Sequence, residues 1–352
     1  MNRPRLVLTV ALCVLIAGCN LPAASTPTPD LFATLQASTP LYVSSPQATQ
    51  PSPTVAFNFA SVTPPAATSV PAPSGLDQPQ GHIVYTCQVY KDQGSEQICM
   101  MKADGTDFRR LTPENNIRHF YPSLSPDGRR VLYSAYSGDN NYDIYQYILE
   151  SGVIERLTDV YGVENAPEFS PDMQTIAFTR TSPTRAGYSI MLADRNGDGM
   201  NNIPQVEGWD PTWSPDGNTI LFASDKNGSV QLYTVRTDGT QLKRITNLPA
   251  IRGRSDWSAD GQFIVTYSGE PWKREVYIMN ADGSNVRQLS PSDGNSQGPS
   301  FSPDGKWVAF TAYFDNYGDD NGCEVYIIRI DGTDLRRLTN NDYCDYQPRW
   351  GP

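Results

Sequence analysis

From Gly81 onward the apolar positions come in short bursts of β-branched and aromatic residues, each burst closed by turn residues. His82-Ile83-Val84-Tyr85-Thr86 and Trp307-Val308-Ala309-Phe310 are two of them. Short runs built from β-branched and aromatic residues and bounded by turn residues predict strands rather than helices. Two turn-bearing blocks punctuate the strands. The first is Pro-x-aromatic-Ser-Pro-Asp-Gly, as in Pro211-Thr212-Trp213-Ser214-Pro215-Asp216-Gly217 and Pro299-Ser300-Phe301-Ser302-Pro303-Asp304-Gly305. Its aspartates, at 127, 172, 216, 260 and 304, lie 45, 44, 44 and 44 residues apart. The second is an apolar strand, then Asp-Gly-Thr, then Arg-x-Leu-Thr, as in Val325-Tyr326 to Asp331-Gly332-Thr333 to Arg337-Leu338-Thr339.

Ser-Pro-Asp-Gly has the chemistry of a type I turn, with proline presetting φ and glycine accepting the positive φ that ends it. It joins a short aromatic strand A to an alternating strand B. Asp-Gly closes the hairpin between strands C and D. Four short strands per repeat of about 44 residues is the signature of a β-propeller blade. Strands B, C and D occur six times. Gln347-Pro348-Arg349-Trp350 is a strand A with no B after it, and 82–86 is a strand B with no A before it. The two halves complete each other, which predicts an all-β, six-bladed propeller closed by pairing of the C-terminal strand A with the N-terminal strand B, leaving no exposed edge at the seam.

These repeats resemble the TolB-like propellers of the WD40-like, PD40-type family over residues 81–352. The resemblance implies the fold and says little of function. TolB resembles a small α/β domain fused to such a propeller, and a different segment stands in that place here, so a Tol–Pal role does not carry over. Prolyl-peptidase propellers precede an α/β-hydrolase domain, whereas this sequence ends at the closing strand and has no Gly-x-Ser-x-Gly nucleophile elbow.

The N-terminal segment follows another pattern. Arg3 and Arg5 precede an apolar run, 6–17, too short to span a bilayer. It ends in Leu15-Ile16-Ala17-Gly18-Cys19, which resembles the lipobox of bacterial lipoproteins. The expectation is a lipoprotein signal peptide over 1–18 and a lipid on Cys19 that fastens the protein to a bilayer, on the extracytoplasmic side of a bacterial cell envelope. Residues 20–79 hold 12 Pro, 16 Ser or Thr and 10 Ala, with Asp30 and Asp77 the only charges. Such a composition cannot bury enough apolar surface to offset its ordering entropy. Residues 19–79 therefore read as a lipidated cysteine and a disordered tether, and 80–352 as the propeller.

Composition narrows the chemistry. A net charge of −11 with no basic stripe argues against nucleic acid, which needs clustered Lys and Arg. Two histidines leave little room for a multi-His metal centre. Residues that recur in every repeat serve the blade, so the turn aspartates and the recurring Arg110, Arg156, Arg244, Arg287 and Arg337 are expected to satisfy one another or strand carbonyls. Tyr145, Tyr233, Tyr277 and Tyr326 are expected to pack between blades. Residues that occur once, in the loops before strand A and between B and C, are free for a ligand. On one face these are Arg118, His119, Glu164, Asn165, Trp209, Asp210, Arg252, Arg254, Asp256, Asn295, Gln297, Tyr343, Asp345 and Tyr346. Arginine and aromatic side chains dominate binding energy at interfaces.

The third repeat carries Asp194-Arg195-Asn196-Gly197-Asp198-Gly199-Met200-Asn201-Asn202, similar to extracellular calcium loops. Structural calcium would sit on Asp194, Asn196, Asp198, the Met200 position and Asn202, and a plain polar hairpin tip is the other reading. No other cofactor is implied. Cys87, Cys99, Cys323 and Cys344 predict two disulfides outside the cytoplasm. A hairpin turning at Asp92-Gln93-Gly94 favours 87–99 with 323–344, and the rival 87–344 with 99–323 would bolt the ring closure. Two functions remain. One is a monomeric, non-catalytic module binding an envelope or extracellular protein, peptide or glycan. The other is a hydrolase or lyase working through Glu164, Asp210 or Asp256.

Overall fold

The computed structural model describes residues 78–89, 96–112, 117–138, 141–182, 185–292, 294–313 and 322–352. The lipobox, Cys19 and the tether up to residue 77 lie outside the described residues. Within them every regular element is a strand, as the short β-branched and aromatic runs predict.

Four sheets have four strands each. The first runs β24 (Asp345–Gly351), β1 (His82–Gln88), β2 (Glu96–Lys102), β3 (Arg109–Arg110). Three more follow chain order. They are β12 (Trp209–Trp213) to β15 (Lys243–Arg244), β16 (Asp256–Trp257) to β19 (Arg287–Gln288), and β20 (Gln297–Phe301) to β23 (Arg336–Arg337). A fifth, eight-stranded sheet takes β4 (His119–Leu124), β5 (Arg130–Gly138), β6 (Asn141–Ile148) and β7 (Ile154–Arg156) together with β8 (Val163–Phe169), β9 (Thr175–Ser182), β10 (Arg185–Asp194) and β11 (Asn201–Glu207). Its halves meet through one parallel pair, Tyr142 with Val163. The seam is where the sequence places it: β24 pairs antiparallel with β1, Ile83 opposite Trp350 and Val84 opposite Arg349.

No sheet covers both its faces alone, so the core lies between sheets. Ile83, Tyr85 and Trp350 pack on Trp307, Ala309, Val325 and Ile327 of the sheet before them in the ring. Val265 and Val276 meet Val308 and Phe310 in the same way. The strands β24, β4, β8, β12, β16 and β20 touch in that cyclic order, returning to β24, and so form the innermost layer around a channel.

That layer has a device of its own. Tyr121, Ala166, Asp210, Arg254, Gly298 and Gln347, each the residue before a proline or Ser255, all have positive φ, between 20° and 61°. The ladder to strand B shifts register at this point in β4, β8, β12, β20 and β24. An added residue in one strand of an antiparallel pair bends it and re-aims its side chains. Here it turns the bulge residue and the residue two further on toward the channel.

The turn chemistry is uniform. Ser125, Ser170, Ser214, Ser258 and Ser302 donate through Oγ to Oδ1 of the aspartate two residues on, each at 2.6 Å. The amide two residues beyond each aspartate donates to the same oxygen. Met173, standing where the other repeats have glycine, takes the same left-handed conformation at φ 59°. The recurring arginines therefore have other work. Arg156, Arg244 and Arg337 donate through Nε to the carbonyl of the threonine two residues later, at 2.9, 2.7 and 2.9 Å. Arg156 and Arg337 also reach the strand C carboxylates Asp143 and Glu324. In the fifth repeat this place belongs to Gln288, which bonds the Ser290 carbonyl, and Arg287 is one residue out of frame. The recurring tyrosines stack first within their own sheet: Tyr145 on Tyr133, Tyr233 on Phe222, Tyr326 on Phe310.

Both favoured disulfides are present, Cys87–Cys99 and Cys323–Cys344. The expected register was off by two: Cys87 lies opposite Gln97 and Cys99 opposite Tyr85, so the bridge joins diagonal neighbours whose Cα atoms are 5.8 Å apart. The 323–344 bridge spans 21 residues and ties β22 (Glu324–Arg329) to the closing strand. Cross-linking a loop of this size restricts the unfolded chain by about 3 kcal/mol. Replacing Cys323 and Cys344 together by Ala should lower stability by about that amount in urea melts, and an unchanged midpoint would show the bridge to be idle.

Candidate functional site: the channel and its mouth

The innermost strands put two tiers of side chains into the channel. The tier two residues past each bulge reads Ser123, Glu168, Thr212, Asp256, Ser300, Arg349 in ring order, so large charged groups alternate with small hydroxyls. Each carboxylate is gripped by the strand after it. Glu168 Oε1 accepts from Thr212 Oγ1 at 2.9 Å and from the Trp213 amide. Asp256 Oδ2 accepts from Ser300 Oγ at 2.8 Å and from the Phe301 amide at 2.9 Å. Arg349, 8 % exposed, reaches both, 3.6 Å from Glu168 and 3.4 Å from Asp256, and donates through Nη2 to the Ser255 carbonyl. Burial pushes the Glu168 carboxyl up, and Arg349 pulls it partly back. On one side this triad floors a cavity of about 290 Å³ rimmed by Pro126, Pro171, Pro215, Ala259, Pro303 and Pro352.

The bulge tier lies deeper. Arg254 is 5 % exposed and its Nη2 crosses to the Pro122 carbonyl on β4 at 2.8 Å. Its guanidinium lies 5.3 Å from the Tyr121 ring centroid, and its amide donates to Asp210 Oδ2 at 2.9 Å. Two guanidinium groups thus cross the channel at two levels.

The antiparallel register puts the start of each strand A beside the end of its strand B, so the loops before A and between B and C share one face, as expected (His119 pairs with Ala135, Trp209 with Ala223). The candidate residues do not all reach that face. Arg254, Asp210 and Asp256 belong to the channel. His119, Glu164, Asn165, Asn295 and Asp345 are buried in the wall, against the expectation that loop residues would be open to a ligand. His119 lies on β4 rather than in a loop, edge-on to Tyr133, and burial drops its pKa to about 4. At the mouth Arg118 grips Glu96 through Nε and Nη2 at 2.7 and 2.9 Å and covers the Phe120 ring. Trp209 donates to the Arg252 carbonyl and packs on Tyr188. Arg252, Gln297, Tyr343 and Tyr346 are partly exposed there. Sequence reasoning missed Glu168, Arg349 and Gln347.

The hairpin at 194–202 uses Asp194 Oδ1 for the Asn196 and Asp198 amides. Asp104, Asp238, Asp282 and Asp331 hold their own hairpins through the same kind of amide bond. Among the described residues no three His, Cys, Asp or Glu side chains gather in a way that could hold a metal ion.

Two wall carboxyls make stability depend on pH. Burial lifts Glu164 to about 7, with Asp143, Arg156, Arg180 and Thr158 around it. Burial and the Glu324 charge lift Asp345 to about 7, beside Asn341 and Thr339. Their folded values lie above the unfolded ones, so their contribution is fully present below about pH 4. It is lost as pH rises through 7. Melting temperature should therefore fall between pH 5.5 and pH 8, and Glu164→Gln with Asp345→Asn should flatten that slope. An unchanged slope in the double variant would mean that other groups set it.

Residues 79–352 match the family model of PD40, described as the TolB beta propeller domain. Dipeptidyl-peptidase 5 of Porphyromonas gingivalis is 38% identical over 157 residues, covering 39% of this chain and 22% of that protein. Tol-Pal system protein TolB of Francisella tularensis subsp. mediasiatica is 27% identical over 113 residues, 32% of this chain and 26% of that one. The chain thus spans about a quarter of the length of these two relatives. Among solved structures, TolB from Acinetobacter baumannii is similar at 24% identity and TM-score 0.68, over 77% of this chain and 67% of that one.

Proposed function

The chain belongs to the PD40 TolB beta propeller family, and from that premise we propose that it is a six-bladed binding module of a bacterial envelope, held to a membrane by a lipid on Cys19 and catalysing no reaction. Six blades are supported by six innermost strands in cyclic contact, five of them bulged, and by the eight-stranded sheet, whose two halves share one residue pair. Two disulfides suit an oxidising compartment. The domain limits remain those read from the sequence: signal peptide 1–18, tether 19–79, propeller 80–352. Its partner is a protein, peptide or glycan met at the channel mouth by Arg118, Trp209, Arg252, Gln297, Tyr343 and Tyr346.

One observation carries the non-catalytic reading. The carboxylates a hydrolase or lyase would use are committed elsewhere: Asp256 to Ser300, Phe301 and Arg349, Asp210 to Arg254, and Glu164 inside the wall at 0 % exposure. Two arginines also cross the channel, which blocks a substrate from threading it. The mouth offers arginine and aromatic surface, the usual anchors of a protein interface.

The test compares the wild-type protein with an Arg252→Glu, Tyr346→Ala double variant in stoichiometric capture from detergent-solubilised envelope. Loss of the captured partner in the variant, with melting unchanged, is the expected result. Turnover of a glycan or peptide library that Asp256→Asn abolishes without unfolding would establish the enzyme instead. Labelled palmitate on the mature chain, lost in Cys19→Ala, tests the anchor.

A further inference from the structure

We propose that the bulge tier of the channel is a binding site for one small monovalent anion, a halide or the carboxylate group of a larger molecule. This inference does not rest on the mouth as a docking face.

The argument begins with hydrogen bonds that two buried side chains do not make. Arg254 is 5 % exposed and donates from Nη2 to Pro122, while its Nε and Nη1 donate to nothing among the described residues. Gln347 is 6 % exposed, and its Oε1 accepts from the Tyr121 amide at 2.9 Å and from Thr86 Oγ1 at 3.0 Å. Those two bonds fix which end of the amide is oxygen, so Nε2 is a donor, and it too has no hydrogen-bond partner among the described residues. Every group left over is therefore an N–H and none is an acceptor. Both side chains touch Tyr121, one at its ring and the other at its amide, which brings them to the same part of the tier.

The neighbouring strands leave space there. Ala166 and Gly298 hold the equivalent positions in β8 and β20, and a Cβ added at Gly298 would meet only the Gln347 Cα, at 3.9 Å. Gly298 already has a positive φ of 61°, which glycine adopts without strain.

Electrostatics favours an acceptor with negative charge. Burying donors without partners is costly, and more so when the group is charged. The carboxylates of the channel already have donors other than the two guanidiniums: Thr212 and Trp213 for Glu168, Ser300 and Phe301 for Asp256, the Arg254 amide for Asp210. Burial first, and the Arg349 charge after it, draw the Arg254 pKa down to about 10 against the opposing pull of Asp210, Tyr121 and Glu168. A monovalent anion takes up the idle N–H groups of Arg254 and Gln347 together.

Crystals of the full chain soaked in sodium bromide test this directly. The expected result is an anomalous peak within hydrogen-bond reach of Arg254 Nη1 and Gln347 Nε2, weakened when sodium formate is added at the same ionic strength. Weakening by formate shows that carboxylate competes for the site, and an undiminished peak restricts it to halide. Bromide found only at surface positions, with water at this one, overturns the proposal. Gln347→Leu should abolish the peak if that variant folds, and the wild-type crystals decide the matter if it does not.

Discussion

Deleting residues 347–352 is expected to abolish cooperative folding rather than merely lower the melting point. Five of the six belong to the seven-residue β24, whose pairing with β1 closes the ring. Trp350 is buried against Ile83, Tyr85 and Trp307, and its indole Nε1 donates to the Gln80 carbonyl at 2.8 Å. Losing a buried tryptophan costs about 3–5 kcal/mol. Removing Arg349 leaves Glu168 and Asp256 facing each other without their shared cation, a further ~3–5 kcal/mol. The β1 edge is then left without its neighbour strand. Together these losses are comparable with the 5–15 kcal/mol by which folded domains are stable at all. A truncated chain that still melts in one sharp transition within a few degrees of the full protein would show that the ring does not depend on its seam.

The fold was legible because its signals are local and repeated. Proline, aspartate and glycine at fixed offsets mark turns through the φ values they permit, and a single weak turn signal becomes strong when it recurs at one spacing. The favoured disulfide pairing was legible too, although the register beneath it was not, since Cys87 lies opposite Gln97 rather than Cys99. The union of β4–β7 with β8–β11 into one sheet has no counterpart in the repeat, because it rests on the Tyr142–Val163 pair.

The channel was less legible, and the reason is geometric. Residues that vary between repeats were sought in loops, on the rule that strands serve the scaffold. The left-handed bulge breaks that rule inside strand A, turning two varying positions inward, three residues and one residue before the position that is aromatic in most repeats. Compared across repeats, Ser123, Glu168, Thr212, Asp256, Ser300 and Arg349 already form a column of varying polar residues inside an otherwise patterned strand. The same bulge explains why His119, Glu164 and Asp345 are buried: they lie just before it, where β4, β8 and β24 still pair with strand B.

Arg349→Met should show that the triad is a tie across the channel whose strength depends on pH. In the wild type one guanidinium faces two carboxylates on β8 and β16, so its removal leaves like charges in a half-buried site. The expected loss is about 3–5 kcal/mol at pH 8. At pH 5.5 the loss should be clearly smaller. Burial already raises the Glu168 carboxyl and Arg349 is the main group lowering it, so in the variant its pKa moves higher still. A carboxyl whose folded pKa lies above its unfolded one favours the folded state fully at low pH, and that advantage goes as pH rises through the folded value. Glu168 therefore takes a proton at pH 5.5 and the repulsion with Asp256 disappears. Adding Glu168→Gln and Asp256→Asn to Arg349→Met should recover most of the loss at pH 8, because the penalty belongs to uncompensated charge rather than to missing volume. Urea denaturation at the two pH values separates these cases. An equal loss at both, or a triple variant no more stable than Arg349→Met alone, would mean that Arg349 acts through packing and that the channel is held together by its strands.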